Sequence, residues 1–305
     1  MSKKNKIILV VISVCSLFLV WYLLIKKEDY CISFTVKTAT GTVFQGLQEW
    51  KSVETLTSNE KYTILEKRNF DFIKYELSGK NIKMDYSWKI SSINDSITKV
   101  EVGIKDYNNS IYNRISVPFF DTPFKLEQIK KISDFKEGLI EHLKNFTLSV
   151  DGEGTSEEVF VAYISLKSVM QQKAQSMIAN NADITGFLIS NGIKIIGKPY
   201  VQITKWDLDK ETIDFDYCFP VDKNVKIVQN KFVKFKKLPA IKGLTATYYG
   251  NYRTSDRAWF ALIDYANNHG YKLNKMPREN FLANPFNGGD EMEWETKIII
   301  PYAIK

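Results

Sequence analysis

The strongest pattern in the chain comes first: from Ile7 to Ile25 run nineteen residues without a charge, IILVVISVCSLFLVWYLLI. A helix of about that length covers a hydrocarbon core of roughly 30 Å, so residues 7–25 predict a single membrane-spanning segment. Past it the period changes. Tyr30–Lys37 alternates as a strand, 42–50 reads as a short amphipathic helix, and strand-like runs follow at 61–67, 71–78, 81–91, 97–106 and 110–118. Turn signals at Ser78-Gly79, Asn94-Asp95 and Asn108-Asn109 separate them. Leu126, Ile129, Ile132, Phe135, Leu139, Leu143 and Phe146 then recur three or four apart, the apolar stripe of one long helix. The polar, Gly-containing stretch 151–157 reads as a flexible linker.

Beyond the linker the pattern gives a strand at 159–165, a helix near 168–190, strands at 199–206 and 211–219, and a connector at 222–240. The same order then recurs. Asn191-Gly192 and His269-Gly270 are each separated by six residues from a proline, Pro199 and Pro277, and each proline opens an extended segment. The closing strands end alike, Phe219-Pro220-Val221 against Ile300-Pro301-Tyr302, with a small insertion in the second copy near Asn287-Gly288-Gly289. Two β-α-β-β units are the expected arrangement. The whole chain is therefore read as α+β, with an anchor at 1–29, an antiparallel sheet domain at 30–150, a linker at 151–157 and a duplicated domain at 158–305.

The stretch Gly243–Tyr302 resembles the second half of the GyrI-like (AraC-type effector-binding) small-molecule-binding domain. The G-x-Y turn at Gly250, the A-W-x-x-L helix at Ala258, the Glu279-x-Phe281 pair and the terminal I-I-I-P-Y strand carry the likeness. The resemblance implies two units side by side about a pseudo-twofold axis, with a ligand cleft along it. Residues 30–150 resemble, more faintly, the SRPBCC (START/polyketide-cyclase) helix-grip fold through the opening S-F-T-V-K-T-A-T-G-T-V-F and the W-x-x-V at Trp50. That likeness implies an apolar cavity under the long helix; the competing reading is a helix that fills the space itself.

Charge narrows the partners. The formal net charge is +7, but it is spread out: five Lys against two acids before residue 30, seventeen basic against fifteen acidic in 30–150, and twenty against eighteen beyond. Neither soluble part is a basic patch, which argues against a nucleic-acid partner. Three lysines plus the amino terminus precede the apolar run and two lysines follow it. That balance favours a cytoplasmic N-terminus and soluble domains on the extracytoplasmic side; the expected location is a bacterial inner membrane. A cleaved signal peptide is the competing reading, opposed by the length of the run and the lack of an A-x-A-like site. Three cysteines, one of them inside the apolar run, are too few for a disulfide framework.

Chemistry is sparse. The two histidines stand 127 positions apart, no metal-ligand spacing occurs, and no nucleophile-elbow, zincin or phosphate-loop motif is present, so no cofactor, metal or catalytic residue is expected. The expected partner is a small molecule. In the GyrI-like pattern a glutamate precedes an x-aromatic pair in the second copy, and here that is Glu279 before Asn280-Phe281. The repeat sets Val201 opposite it. A carboxylate on a face shared with Val201, Ile203 and Phe281 is costly unless it is paired or meets a cationic ligand, which marks Glu279 as the expected sensing residue. The ordinary alternative is a surface pair with Arg278. Trp206, Tyr217, Tyr249, Trp259, Phe281 and Trp294 complete the expected pocket, suited to apolar or cationic aromatic ligands; for Trp259 and Trp294, helix and sheet packing compete. The leading reading is a membrane-anchored binding or sensing protein. The runner-up is a small-molecule hydrolase in which Glu279 activates water beside a tyrosine such as Tyr249. With an unpaired carboxylate, Glu279→Gln would leave stability unchanged or raise it.

Overall fold

A computed structural model of the chain describes residues 3–57, 61–283, 285 and 288–303, with the backbone alone over 51–57. Asn287, within the expected insertion, lies outside the described residues. The chain divides into two compact units, the first made of Met1–Lys37, Val43–Ile93 and Ile97–Ile140, the second of Thr38–Thr42, Asn94–Ser96 and Glu141–Lys305.

The first unit opens with helix α1 (Lys3–Val20), continued by one wider π-type turn over Trp21–Ile25. Together they are long and apolar enough to cross a membrane, and no side chain of α1 is buried. Strand β1 (Tyr30–Val36) leads into helix α2 (Thr40–Thr57), then β2 (Lys61–Arg68), β3 (Phe72–Ser78), β4 (Lys83–Asn94) and β5 (Ile97–Asp106). These five strands form one sheet in the order β1-β5-β4-β3-β2. Strict alternation drives it: β5 buries every second residue and β3 does the same, so one face is apolar and the other meets solvent. The long helix is α4 (Pro123–Leu143), which buries Ile132, Phe135 and Leu139. Phe135 meets Trp88 at 5.2 Å and Trp50 at 5.6 Å, both edge to face. These rings occupy space beneath α4.

One expected strand is absent. Residues 110–118 give helix α3 (Ser110–Ser116) instead, with Asn113, Arg114 and Ser116 turned inward. The polar residues alternate with apolar ones closely enough to suit either period, and the inward set turned out to be the polar one.

The second unit is an eight-stranded antiparallel sheet with helices packed on it. Its strands are β6 (Phe146–Ser156), β7 (Val159–Val169), β8 (Tyr200–Asp207), β9 (Thr212–Pro220), β10 (Lys234–Leu238), β11 (Ile241–Gly250), β12 (Arg278–Phe281) and β13 (Glu295–Pro301), in the order β10-β7-β9-β8-β12-β13-β11-β6. Helix α5 (Lys173–Ser190) follows β7, and α6 (Arg257–His269) follows β11. The two runs β7-α5-β8-β9 and β11-α6-β12-β13 have the same element order, and they meet where β8 pairs with β12 and Val201 faces Glu279. Matching bridges, Ile195 to Val221 and Leu273 to Tyr302, close each run. Helix α6 stops at Gly270, whose φ of +76° is the left-handed cap a glycine adopts without strain. Gly250 is fixed by space: a Cβ there would stand 2.6 Å from the Tyr248 hydroxyl and 2.7 Å from Phe146 Cβ.

Two boundaries differ from the sequence reading. Phe146, placed on the long helix, begins β6, and the stretch read as a linker from 151 is the rest of that strand, paired along β11 from Ser156–Ile241 to Phe146–Gly250. A polar, Gly-bearing run looks like a tether when nothing shows which edge it completes. The connector 222–240 likewise holds β10, paired with β7. A fragment starting at 155 therefore lacks all but the last two residues of a flanking strand.

Candidate functional site

Helix α5 lies over β7, and the space at its side toward β9, β12 and the turn after β11 is a cavity of about 570 Å³. Its size falls in the range of small-molecule sites. Met177, Ile178 and Phe219 give it apolar walls, and Tyr217, Tyr252, Phe281 and Trp294 bring aromatic faces. The Tyr252 ring stands 4.6 Å from Phe281 and 5.7 Å from Trp294. Its hydroxyl donates to the Ala283 carbonyl at 3.1 Å and accepts the Ala283 N–H at 3.0 Å, and burial pushes it up to about 12. The Tyr217 hydroxyl donates to Asn181 at 2.9 Å, and burial likewise raises it. Neither phenol ionises near neutrality, so both act as oriented polar groups in an apolar wall.

Of the seven residues expected in the pocket, Phe281, Tyr217 and Trp294 line this cavity. Tyr249 sits on β11 between Glu295 and Thr147, and does not reach it. Trp206 and Trp259 pack on each other edge to face at 5.2 Å, with Trp259 fully buried on α6. Glu279 shares a strand face with Phe281 and Val201, as expected, but it is sealed beneath the cavity rather than exposed to it.

The carboxylate of Glu279 is paired, and its partner is neither a ligand nor Arg278. Lys173, in the first turn of α5, donates from Nζ to Oε2 at 2.6 Å. Trp259 Nε1 donates to Oε1 at 2.9 Å and the Ser255 hydroxyl lies 2.8 Å from the same oxygen. Ser255 also accepts from Lys173 Nζ at 2.8 Å, and the ammonium stands 4.5 Å over the Trp259 ring. The side chains of Lys173 and Glu279 are 1% and 0% exposed. Arg278 points to the other face, bonded to Gln202 at 2.8 Å and to the Pro239 carbonyl at 2.9 Å. Both oxygens of Glu279 are thus engaged by protein donors, which removes the water contact a general base requires. Sequence reasoning missed Tyr252 in the cavity wall and Lys173 beneath it; for Lys173 a signal existed. That signal was phase: the lysine stands four before Met177 on the stripe that continues to Ile184 and Leu188, a core position held by a cation.

Elsewhere in this unit His142 sits against Arg257, accepting from its Nε at 3.2 Å. Burial, and after it the Arg257 charge, lowers His142 to about 4. In the unfolded chain the imidazole gains its proton near the ordinary 6.5. Between those values the unfolded state holds more protons, so stability falls as pH falls. Thermal melts at pH 7 and pH 5 are expected to differ more for the native chain than for His142→Gln. Among the described residues no group of three His, Cys, Asp or Glu side chains is placed to hold a metal, and Cys15, Cys31 and Cys218 are free thiols.

Residues 155–303 match the family described as the GyrI-like small molecule binding domain. No curated protein matches the chain. Among solved structures, the crystal structure of the EcmrR C-terminal domain is similar at 20% identity, covering 52% of this chain and 99% of that one, with a TM-score of 0.45. The cryo-EM structure of an EcmrR–DNA complex is similar at 19% identity over 59% of this chain and 69% of that one, TM-score 0.44. A hydrolase from Listeria innocua is similar at 9% identity over 54% of this chain and 98% of that one, TM-score 0.35.

Proposed function

We infer that residues 155–303, which form a GyrI-like small molecule binding domain, bind a largely aromatic molecule without positive charge in the cavity beside α5, and that α1 tethers them to a membrane. The observation that carries the ligand class is the wall of the cavity. Its described lining is apolar and aromatic with Asn181, Thr185 and Asn251 as neutral polar groups, and its charged residues are Lys198 and Arg253. No carboxylate lines it among the described residues. The cationic ligands that an unpaired Glu279 would have favoured lose their counter-charge, because Lys173 already supplies it. What remains is stacking and dispersion on Tyr252, Phe281 and Trp294, with oriented hydrogen bonds from the polar rim.

The tether reading rests on the length and apolar character of Lys3–Ile25. It makes the chain a binding protein held at a bilayer, sequestering or sensing a small molecule there.

Ile178 and Thr185 stand seven residues, about two turns, apart on the same face of α5 and both line the cavity. Ile178 is exposed and Thr185 half-buried, so larger side chains at both fit without repacking the core. Native mass spectrometry of the full chain from its own host is expected to show a bound small molecule. Ile178→Trp with Thr185→Trp should reduce that occupancy by about tenfold or more, equivalent to about 1.4 kcal/mol. Equal occupancy in both proteins would place the ligand elsewhere.

A further inference from the structure

Helix α3 is built inside out. Its polar Asn113, Arg114 and Ser116 are buried, while Ile111, Tyr112 and Ile115 face outward. The chain continues through Phe119 and Phe120, 78% and 66% exposed, with ring centroids 6.5 Å apart. Single exposed apolar residues are ordinary on a protein surface, but a contiguous patch of this kind marks a surface that meets something other than water.

The same helix grips the end of the membrane-length helix. Arg114 donates from Nη1 to the carbonyls of Leu23 at 2.9 Å and Tyr22 at 3.1 Å, and from Nη2 to the Lys26 carbonyl. Its Nε donates to Asp29 at 2.7 Å. Asp29 also receives the Ser110 hydroxyl at 2.6 Å and the Asp106 N–H at 2.8 Å. The Tyr22 hydroxyl returns a bond to the Arg114 carbonyl at 3.0 Å. A helix C-terminus leaves carbonyls without intrahelical donors and favours a cation, and here one buried guanidinium meets both needs. The clamp sets α3 at the level of Trp21–Ile25, followed at once by Lys26 and Lys27. Aromatic and lysine residues at the end of an apolar span mark the depth at which hydrocarbon gives way to headgroups.

We propose that the outward face of α3, together with Phe119 and Phe120, lies in the headgroup–acyl boundary of the same bilayer that α1 crosses. The inference rests on the tether reading above and adds a second contact to it. Arg114 ties the face directly to the end of the span, which is why lipid and not a protein groove is the occupant. The first unit is then held against the membrane rather than hanging from a loose stalk. The clamp also makes the span part of the folded unit, since removing residues 1–27 would strip buried Arg114 of its three carbonyl acceptors.

The test uses the full chain with Cys15→Ser, Cys31→Ser and Cys218→Ala, labelled with an environment-sensitive fluorophore at one introduced cysteine. Leu17→Cys reports the span, Phe119→Cys the proposed face, and Ile93→Cys the far end of β4, away from the groove that Leu24, Ile25 and Asp85 line. All three positions are exposed, so the label does not disturb the core. The proteins are reconstituted into phosphatidylcholine–phosphatidylglycerol vesicles with and without brominated acyl chains. Leu17→Cys should be strongly quenched, Ile93→Cys unaffected, and Phe119→Cys quenched about twofold, as suits a face roughly 5–10 Å into the boundary. If Phe119→Cys behaves like Ile93→Cys while Leu17→Cys is quenched, the tether stands and the proposed face is wrong. If Leu17→Cys is itself unquenched, the tether fails and the inference falls with it.

Discussion

Lys173→Met is expected to destabilise the second unit by about 3–5 kcal/mol, the cost of leaving one member of a buried ion pair without its partner. The carboxylate of Glu279 would keep Ser255 and Trp259 as donors but lose the only cation within bonding distance among the described residues. Glu279→Gln should cost a similar amount from the other side, stranding an ammonium between Ser255 and the Trp259 ring. The expectation drawn from sequence had the opposite sign, because an unpaired carboxylate on an apolar face is relieved by neutralisation whereas a paired one is not. The double replacement Lys173→Met with Glu279→Leu should recover most of the loss, since well-packed apolar residues often replace a buried pair at little cost or with a gain. Chemical denaturation of the native chain, Lys173→Met, Glu279→Leu and the double replacement completes the cycle, and a coupling energy near zero would show that the two groups do not interact. Ligand occupancy offers an independent reading: the pair lies beneath the cavity floor, so a variant that stays folded should retain most of its ligand.

Arg114→Met is expected to be as costly in the first unit, about 3–5 kcal/mol by the same reasoning. Arg114 and Asp29 side chains are 3% and 0% exposed, and the guanidinium additionally serves three carbonyls at the end of the apolar helix. Hydrogen exchange should show the effect where it arises, with faster exchange over residues 22–29 and at the Asp106 amide, whose acceptor is Asp29. Arg114→Lys keeps the charge but not the planar fork, so it should recover only part of the loss. Unchanged exchange in Arg114→Met would mean that the segment after the span is ordered by other contacts.

Much of the fold was legible along the chain because the relevant physics is local. A strand with one face on a core must alternate, so β3 and β5 announced themselves; an amphipathic helix must repeat near 3.6, so α4, α5 and α6 did too. Asn191-Gly192 and His269-Gly270 marked the same point in both copies, and both glycines take the positive φ that a left-handed cap reserves for glycine. The apolar run at residues 7–25 followed from composition alone. Of the candidate site, sequence placed Glu279 and Phe281 together on one strand face, and Phe281, Tyr217 and Trp294 at the cavity.

Tertiary structure decided the rest. Whether Glu279 greets a ligand or a lysine depends on a residue 106 positions away, brought over β12 by the packing of α5, and no local period encodes that distance. Residues 151–156 are a strand only because β11 offers an open edge, a fact that belongs to the order of the sheet and not to the run itself. Helix α3 failed for a different reason. Reading periodicity assumes that apolar side chains turn inward from water, and in α3 the inward direction leads to Asp29 and the carbonyls of Tyr22, Leu23 and Lys26, which demand Arg114. A buried charge network took the inside of that helix, so its apolar residues were left for the outside.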